Sequence, residues 1–339
     1  MKVLLISPTF SGIGGIAQHV TSLKQYLENS GNQVDVLSSE NSFTLPIKKL
    51  KNPSFMISSS LKVKFMKKYD IIHAHNIPSA QAMKNAKGKK ILSLHGIFSE
   101  QINTLHGEKT GNFSKKYEQR ALDWADAITV ISKDAFDYYT NLGFHVFQIP
   151  NAINISSLPI KKDRRYKKQV IFAGRLSNEK GINSLIKIGK KLSSDIDLIV
   201  LGSGPEKNKI QELEKIQKNV HYFGYLNKIQ TISLIRGSDA LIQPSLKEGI
   251  SSTILESMAC ETPVITTNVG GNLEIIEDHK TGFLVKPNTT SKILELIDFI
   301  FSNSSKIELI TNNALKKVSY YDWKNVGSLY VKLYEKILN

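Results

Sequence analysis

The chain has 339 residues, of which 41% are hydrophobic, and a formal net charge of +15. The length predicts two domains and the composition excludes disorder. One cysteine, Cys260, excludes a disulfide framework and fits a reducing cytoplasm, while the charge predicts a polyanionic partner such as a membrane surface, lipid phosphate or nucleic acid.

No run approaches the roughly 18 uninterrupted apolar residues of a spanning helix. The N-terminus does not read as a signal peptide, because Lys2-Val-Leu-Leu-Ile-Ser7 is already a buried strand. A glycine-bearing loop, Gly12-Ile-Gly14-Gly15, then opens a helix from about Ile16 to Asn29 that ends at Gly31. Gly12-x-Gly14-x-x-Ala17 with Asp35 fits a dinucleotide fingerprint, but the glycines come several residues after the strand and Asp35 lies inside the next one. The loop can still offer N–H groups to a diphosphate.

Between Glu40 and Asp70 no residue is acidic, whereas Lys48, Lys49, Lys51, Lys62, Lys64, Lys67 and Lys68 alternate with bulky apolar residues such as Phe43, Ile57, Leu61 and Phe65. Residues 43–68 fit peripheral contact with an anionic membrane; a lysine-rich surface helix in a lysine-rich protein is the plainer alternative. Two short strands follow, Asp70 to His75 and Lys90 to Gly96, separated by a helix from about Ser79 to Lys87. The strand-end histidines His73, His75 and His95 match no zinc spacing, so no metal is expected. A helix over about 99–124, a strand 127–132, a helix 133–139 and a strand 146–151 complete an alternating pattern, which implies a doubly wound parallel sheet. The charged stretch 155–168 reads as an interdomain linker.

The pattern restarts at Gln169-Val-Ile-Phe-Ala-Gly174. Arg175 and Lys180 then stand at the opening of a helix, where a forked guanidinium and a point-charge ammonium suit a diphosphate. Strands over 198–202 and 220–224 lead into Gly202-Ser-Gly204 and Tyr225. Another buried strand, 240–243, leads into Ser245-Leu-Lys-Glu248-Gly249-Ile250-Ser251-Ser252-Thr253-Ile-Leu-Glu256, a strand–loop–helix junction attractive to phosphate. Glu248 and Glu256 would accept hydrogen bonds from sugar and ribose hydroxyls beside that phosphate. Thr253 to Glu256 also fits a capping box, with Glu248 a plain loop residue. A strand near 281–285 and helices from there to about residue 338 finish the chain.

Glu248, seven intervening residues and Glu256, with Pro244-Ser245 before and Pro263-Val-Ile265 after, resemble the retaining, nucleotide-sugar-dependent glycosyltransferases of family 4 (glycosyl transferases group 1), in the GT-B group. Nearly the whole chain takes part, most strongly 170–285. The resemblance implies an α/β fold of two Rossmann-like domains facing across a cleft: an acceptor domain over 1–155, onto which a terminal helix 322–339 crosses back, and a donor domain over 165–320. It implies that Arg175 and Lys180 hold the donor diphosphate, and that Glu248 orients the sugar. Glu256 would hold the ribose, and His95 would contact the sugar or the acceptor. Gly14 and Gly15 would reach the diphosphate, with Gly204, Tyr225, Gly249, Ile250, Ser251 and Ser252 completing the donor site. Many relatives carry an aromatic and small residues after the first glutamate and glycine, where this chain has Ile250-Ser251-Ser252-Thr253, which leaves the sugar preference open.

The expected activity is metal-independent transfer with retention from a UDP- or GDP-linked sugar to a glycan or lipid-linked acceptor, giving an α-linked product. The expected location is cytoplasmic, at the inner face of the cell membrane. No cofactor and no nucleic acid are expected, since no RNA-stacking module is recognisable. A catalytically silent glycan- or lipid-binding protein on the same scaffold is the alternative, and the joint presence of Arg175, Lys180, Glu248, Glu256 and His95 argues against it.

Overall fold

A computed structural model describes residues 1–11, 14–47, 50–98 and 108–339, with side chains described outside 108–114. Gly12, Lys48, Lys49 and the first part of the helix expected over 99–124 lie outside the described residues. The chain forms two compact units, residues 1–152 with 323–339, and residues 153–322.

In the first unit β1 (Lys2–Ile6), β2 (Gln33–Leu37), β3 (Ile71–His75), β4 (Lys89–Leu94), β5 (Ala127–Val130) and β6 (Val146–Gln148) form one sheet in the order β2-β1-β3-β4-β5-β6. All pairs are parallel. Such strands are covered on both faces, so they read as unbroken apolar runs. Successive side chains go to opposite faces. Leu4 and Ile6 join Ile72, Leu92 and Val130 in one core, while Val3 and Leu5 join Ile71 and Ile91 in the other. Around the sheet lie α1 (Gly15–Asn29), α2 (Lys51–Lys62), α3 (Ala80–Asn85), α4 (Glu108–Leu122) and α5 (Lys133–Asn141). Gly31, at φ 79°, takes the left-handed turn that ends α1.

The second unit repeats the plan. Its strands β7 (Gln169–Ala173), β8 (Asp197–Leu201), β9 (Val220–Gly224), β10 (Ala240–Gln243), β11 (Val264–Thr267) and β12 (Phe283–Val285) form a sheet in the order β12-β11-β10-β7-β8-β9. Val170 and Phe172 face one core, Ile171 and Ala173 the other. The helices are α6 (Ile182–Lys191), α7 (Lys207–Ile216), α8 (Lys228–Arg236), α9 (Ser252–Ala259), α10 (Asn272–Ile275), α11 (Thr290–Ser302) and α12 (Ser304–Val318). Asn227 and Gln230 form a reciprocal capping box at the start of α8.

The expected linker 155–168 is instead packed on the second unit. Arg164 forks onto the Asp239 carboxylate at 2.8 and 3.0 Å, the Asp163 N–H donates to the Ser233 carbonyl at 2.8 Å, and the Tyr166 ring stacks on His221 at 4.2 Å. Of the charges that suggested a solvated linker, Asp163, Arg164, Arg165 and Lys168 are in ion pairs there.

The last helix, α13 (Trp323–Leu338), belongs to the first unit. It buries Trp323, Val326, Tyr330, Leu333 and Tyr334 in the core that holds Val3, Leu5, Val20 and Leu23. Gly327 makes this possible: a Cβ there would lie 2.5 Å from the Tyr26 ring of α1. Among the described residues no helix is long and apolar enough to cross a membrane.

Candidate active site

In the second sheet, the strand order reverses direction between β7 and β10. Ligands of open α/β sheets sit beyond the carboxyl ends of the strands at such a point. The loops after β7, β8, β10 and β11 converge there, and glycine decides how closely. A Cβ on Gly181 would lie 1.8 Å from the Pro244 carbonyl oxygen, one on Gly202 1.8 Å from that of Gly174, and one on Gly204 2.3 Å from that of Leu176. Gly271 likewise presses on the Gly249 carbonyl, at 2.6 Å. Backbone bonds tie the loops further, since the Leu246 N–H donates to the Glu179 carbonyl at 2.7 Å and the Leu176 N–H to that of Ser203 at 2.9 Å.

On this platform Lys180 and Glu248, expected to serve diphosphate and sugar separately, are bonded to each other. The Lys180 ammonium donates to both Glu248 oxygens at 2.7 and 2.5 Å, with side chains 21% and 7% exposed. Removing either partner strands the other charge in a half-buried site, at a cost on the order of 3 kcal/mol. Arg175 is held more loosely, 3.9 Å from Glu179 and half exposed. The α6 and α9 N-termini carry no acidic residue in the first turn and no side-chain cap, so their first N–H groups remain available to an anion.

Ser251 precedes α9 and Ser252 begins it. Ile250 packs in the core with Ile254 and Leu255, so it can offer a ligand only backbone. Glu256 does not form the capping box that its spacing allowed. It is buried, and its carboxylate lies 3.2 Å from the Lys228 ammonium of α8. Burial pushes its pKa up, and Lys228 partly offsets that. Tyr225 follows Gly224 at the end of β9 and is half exposed.

The first unit has its own strand-order reversal, between β1 and β3. Gly14, at φ 135°, and Gly15 open α1 there, and no atom lies within 4 Å of a Cβ built on either. His75 ends β3 and His95 follows β4, and their Nδ1 and Nε2 atoms are 3.3 Å apart. His73, fully buried, is bonded to the Tyr334 hydroxyl at 2.7 Å and to the Ser93 hydroxyl at 2.6 Å, a structural role. Burial drives His73 down to about 3 and His95 to about 4, and holds His19 and His75 well below the usual range, so all four rings are neutral near pH 7. Asp35, the acid of the discounted dinucleotide fingerprint, is engaged inside β2 by the Tyr69 hydroxyl at 2.7 Å and Lys67 at 3.1 Å.

The family model described as Glycosyltransferase Family 4 matches residues 13–157, and that described as Glycosyl transferases group 1 matches residues 157–317. Together the two models span residues 13–317, and the chain belongs to the glycosyltransferases they describe. An uncharacterized glycosyltransferase of Methanocaldococcus jannaschii is 25% identical, over 99% of this chain and 98% of its own. In fold the transferase matches sucrose-phosphate synthase from Thermosynechococcus elongatus, at a TM-score of 0.83 and 19% identity over 99% and 98% of the two chains. It also matches the Anabaena protein HepE in complex with UDP-glucose, at 0.76 and 19% over 99% and 100%.

Two residues beside the candidate site gave no such expectation from the sequence. His19 lies on α1 with its ring 4.8 Å from that of His95. Its position four residues before Leu23 and eight before Leu27, on the buried stripe of α1, was the available signal. Lys228 gave no signal, because its pairing with Glu256 depends on α8 and α9 packing side by side. The metal-binding atoms of His19, His75 and His95 all lie within 4.8 Å of one another, the one such group among the described residues, and it is all-imidazole. A cavity of about 320 Å3 lined by Arg164, Arg236, Asp239 and Pro263 opens at the amino ends of β7, β10 and β11, away from the switch point.

Proposed function

We propose that the transferase moves a sugar, with retention and without a metal, from a nucleotide-diphosphate sugar to a glycan or lipid-linked acceptor, giving an α-linked product. The observation that carries this reading is the glycine-packed platform of the second unit. It collects Arg175, Lys180, Glu248 and two uncapped helix N-termini at one switch point. Breaking the bond to the leaving diphosphate concentrates negative charge on its oxygens. Arg175 can fork two of them, and Lys180 supplies a compact charge. These cations and N–H groups stand in for a divalent ion.

Glu248 takes the hydroxyls of the donor sugar and holds Lys180 in place. Glu256, held beside the Lys228 ammonium at 3.2 Å, takes the ribose hydroxyls, with Gly204, Tyr225 and the 249–252 backbone around the nucleotide. His95, a neutral imidazole, contacts the sugar or acceptor, and Gly14 and Gly15 offer N–H groups to the diphosphate. A uridine diphosphate sugar is the donor to try first, because HepE was solved with UDP-glucose.

The test is a thermal-shift screen with UDP, GDP, ADP and their sugar conjugates on wild type, Arg175→Ala and Glu256→Gln. A ligand that binds only the folded state, at about 100 times its Kd, adds roughly 2.7 kcal/mol and raises the midpoint. One nucleotide family should stabilise wild type, and both variants should lose the shift. If no nucleotide shifts wild type, the silent-scaffold alternative takes the lead.

A further inference from the structure

Transfer chemistry leaves one surface of the first unit unused. Between Glu40 and Asp70 the large exposed hydrophobic side chains are Phe43, Ile47, Leu50, Ile57, Leu61 and Phe65, with Ile57 66% and Phe65 91% exposed. Single exposed apolar residues are ordinary, but six along one short stretch are not.

α2 has its polarity inverted. Toward the protein it buries Phe55 with two serines, Ser59 and Ser60. Each serine is satisfied locally: the Ser59 hydroxyl donates to the Phe55 carbonyl at 2.5 Å, and the Ser60 hydroxyl accepts from the Asn85 amide at 2.6 Å. Burying serine is tolerable only with such partners, so the inward face is fixed as it stands. Leu50, Ile57 and Leu61, at i, i+7 and i+11, share the outward stripe. Lys51, Lys62, Lys64 and Lys68 stand on and beside it, all exposed. The two flanking carboxylates are engaged elsewhere, Glu40 by the N–H and hydroxyl of Ser11 and Asp70 by the Lys2 N–H, while Asp35 holds Lys67 and Tyr69.

We infer that the surface formed by Phe43, Leu50, Ile57, Leu61 and Phe65 with the lysines around them docks on an anionic phospholipid bilayer. The apolar stripe sits at the headgroup–acyl boundary, and the lysines reach lipid phosphates on their flexible stems. A second copy of the chain is the poorer occupant, because a two-fold contact would set the same lysines against each other with no acid on the patch to pair them. This deepens the proposed function by favouring a lipid-linked acceptor. It rests on that reading only for the acceptor's class.

The experiment is sedimentation of the full chain with phosphatidylcholine vesicles, with and without phosphatidylglycerol. Wild type should bind only the anionic vesicles and should release with added salt. The triple variant Ile57→Ser, Leu61→Ser, Phe65→Ser should lose the bound fraction, and Lys62→Glu with Lys64→Glu should weaken partition by about tenfold or more. Both variants change exposed positions, so their thermal midpoints should match wild type. A nucleotide-induced shift retained in both separates loss of docking from failure of the donor site. The inference is overturned if wild type ignores anionic vesicles, if the triple variant binds them as wild type does, or if the triple variant instead turns a dimer into a monomer in vesicle-free buffer.

Discussion

Gly181 concentrates the architecture of the second unit's platform in one residue. It stands at φ 72°, and the place of its missing Cβ is taken by the Pro244 carbonyl. Gly181→Ala combines left-handed strain of about 1–2 kcal/mol with a clash that pushes the β7 and β10 loops apart. The expected result is a lowered midpoint and loss of any nucleotide-induced shift. Gly31→Ala is the control, because Gly31 also has positive φ but no atom within 4 Å of an added Cβ. Equal behaviour of the two variants would show that the close approach does not matter. The sequence placed glycines at strand ends correctly but could not say which of them admit another loop. In the same way, Lys180 and Glu248 were legible as candidate site residues, yet their direct bond was not, because it joins loops 68 positions apart.

At the scale of elements, β3, β4, α1 and α13 together gather four neutral histidines, of which His19, His73 and His75 are buried. In the unfolded chain each imidazole takes a proton as pH falls through about 6.5. Folded, His95 resists down to about 4 and His73 down to about 3. Across that window the unfolded chain binds more protons, so stability drains away as pH falls from neutral. Glu256, raised by burial, acts in the opposite sense but alone. The melting midpoint should therefore drop between pH 7.5 and pH 5. His73→Gln should start lower, having lost bonds to Tyr334 and Ser93, and should fall less steeply; a flat wild-type profile would count against the histidine account. Strand-end histidines were visible in the sequence, but their gathering into one cluster with His19 was not, since it depends on which helix covers β3. The packing of α1 on α13 is open to a separate test. Gly327→Val should cost about 1–3 kcal/mol by overpacking against Tyr26, read as a lower midpoint, and Tyr26→Ala should restore much of it in the double variant.

For the molecule as a whole, alternation of apolar runs with amphipathic segments was enough to announce two doubly wound sheets, since parallel strands buried on both faces leave a strong signature. The division of the chain between the units was harder to read. Charge made 155–168 look like a solvated tether, when Arg164 and Tyr166 have partners in the second unit. The inverted polarity of α2 was likewise hidden, because a mixed lysine, serine and apolar sequence does not reveal which stripe turns inward. The same division also fixes an order of events during synthesis. Residues 1–152 leave the ribosome first, yet their core lacks Trp323, Tyr330 and Tyr334 until α13 follows. At typical elongation rates that wait is on the order of ten seconds or more. The second unit, continuous in sequence, can close within that interval, so the half of the protein made first is finished last, and its unfilled groove over Val3, Leu5 and Leu23 is a natural station for a chaperone.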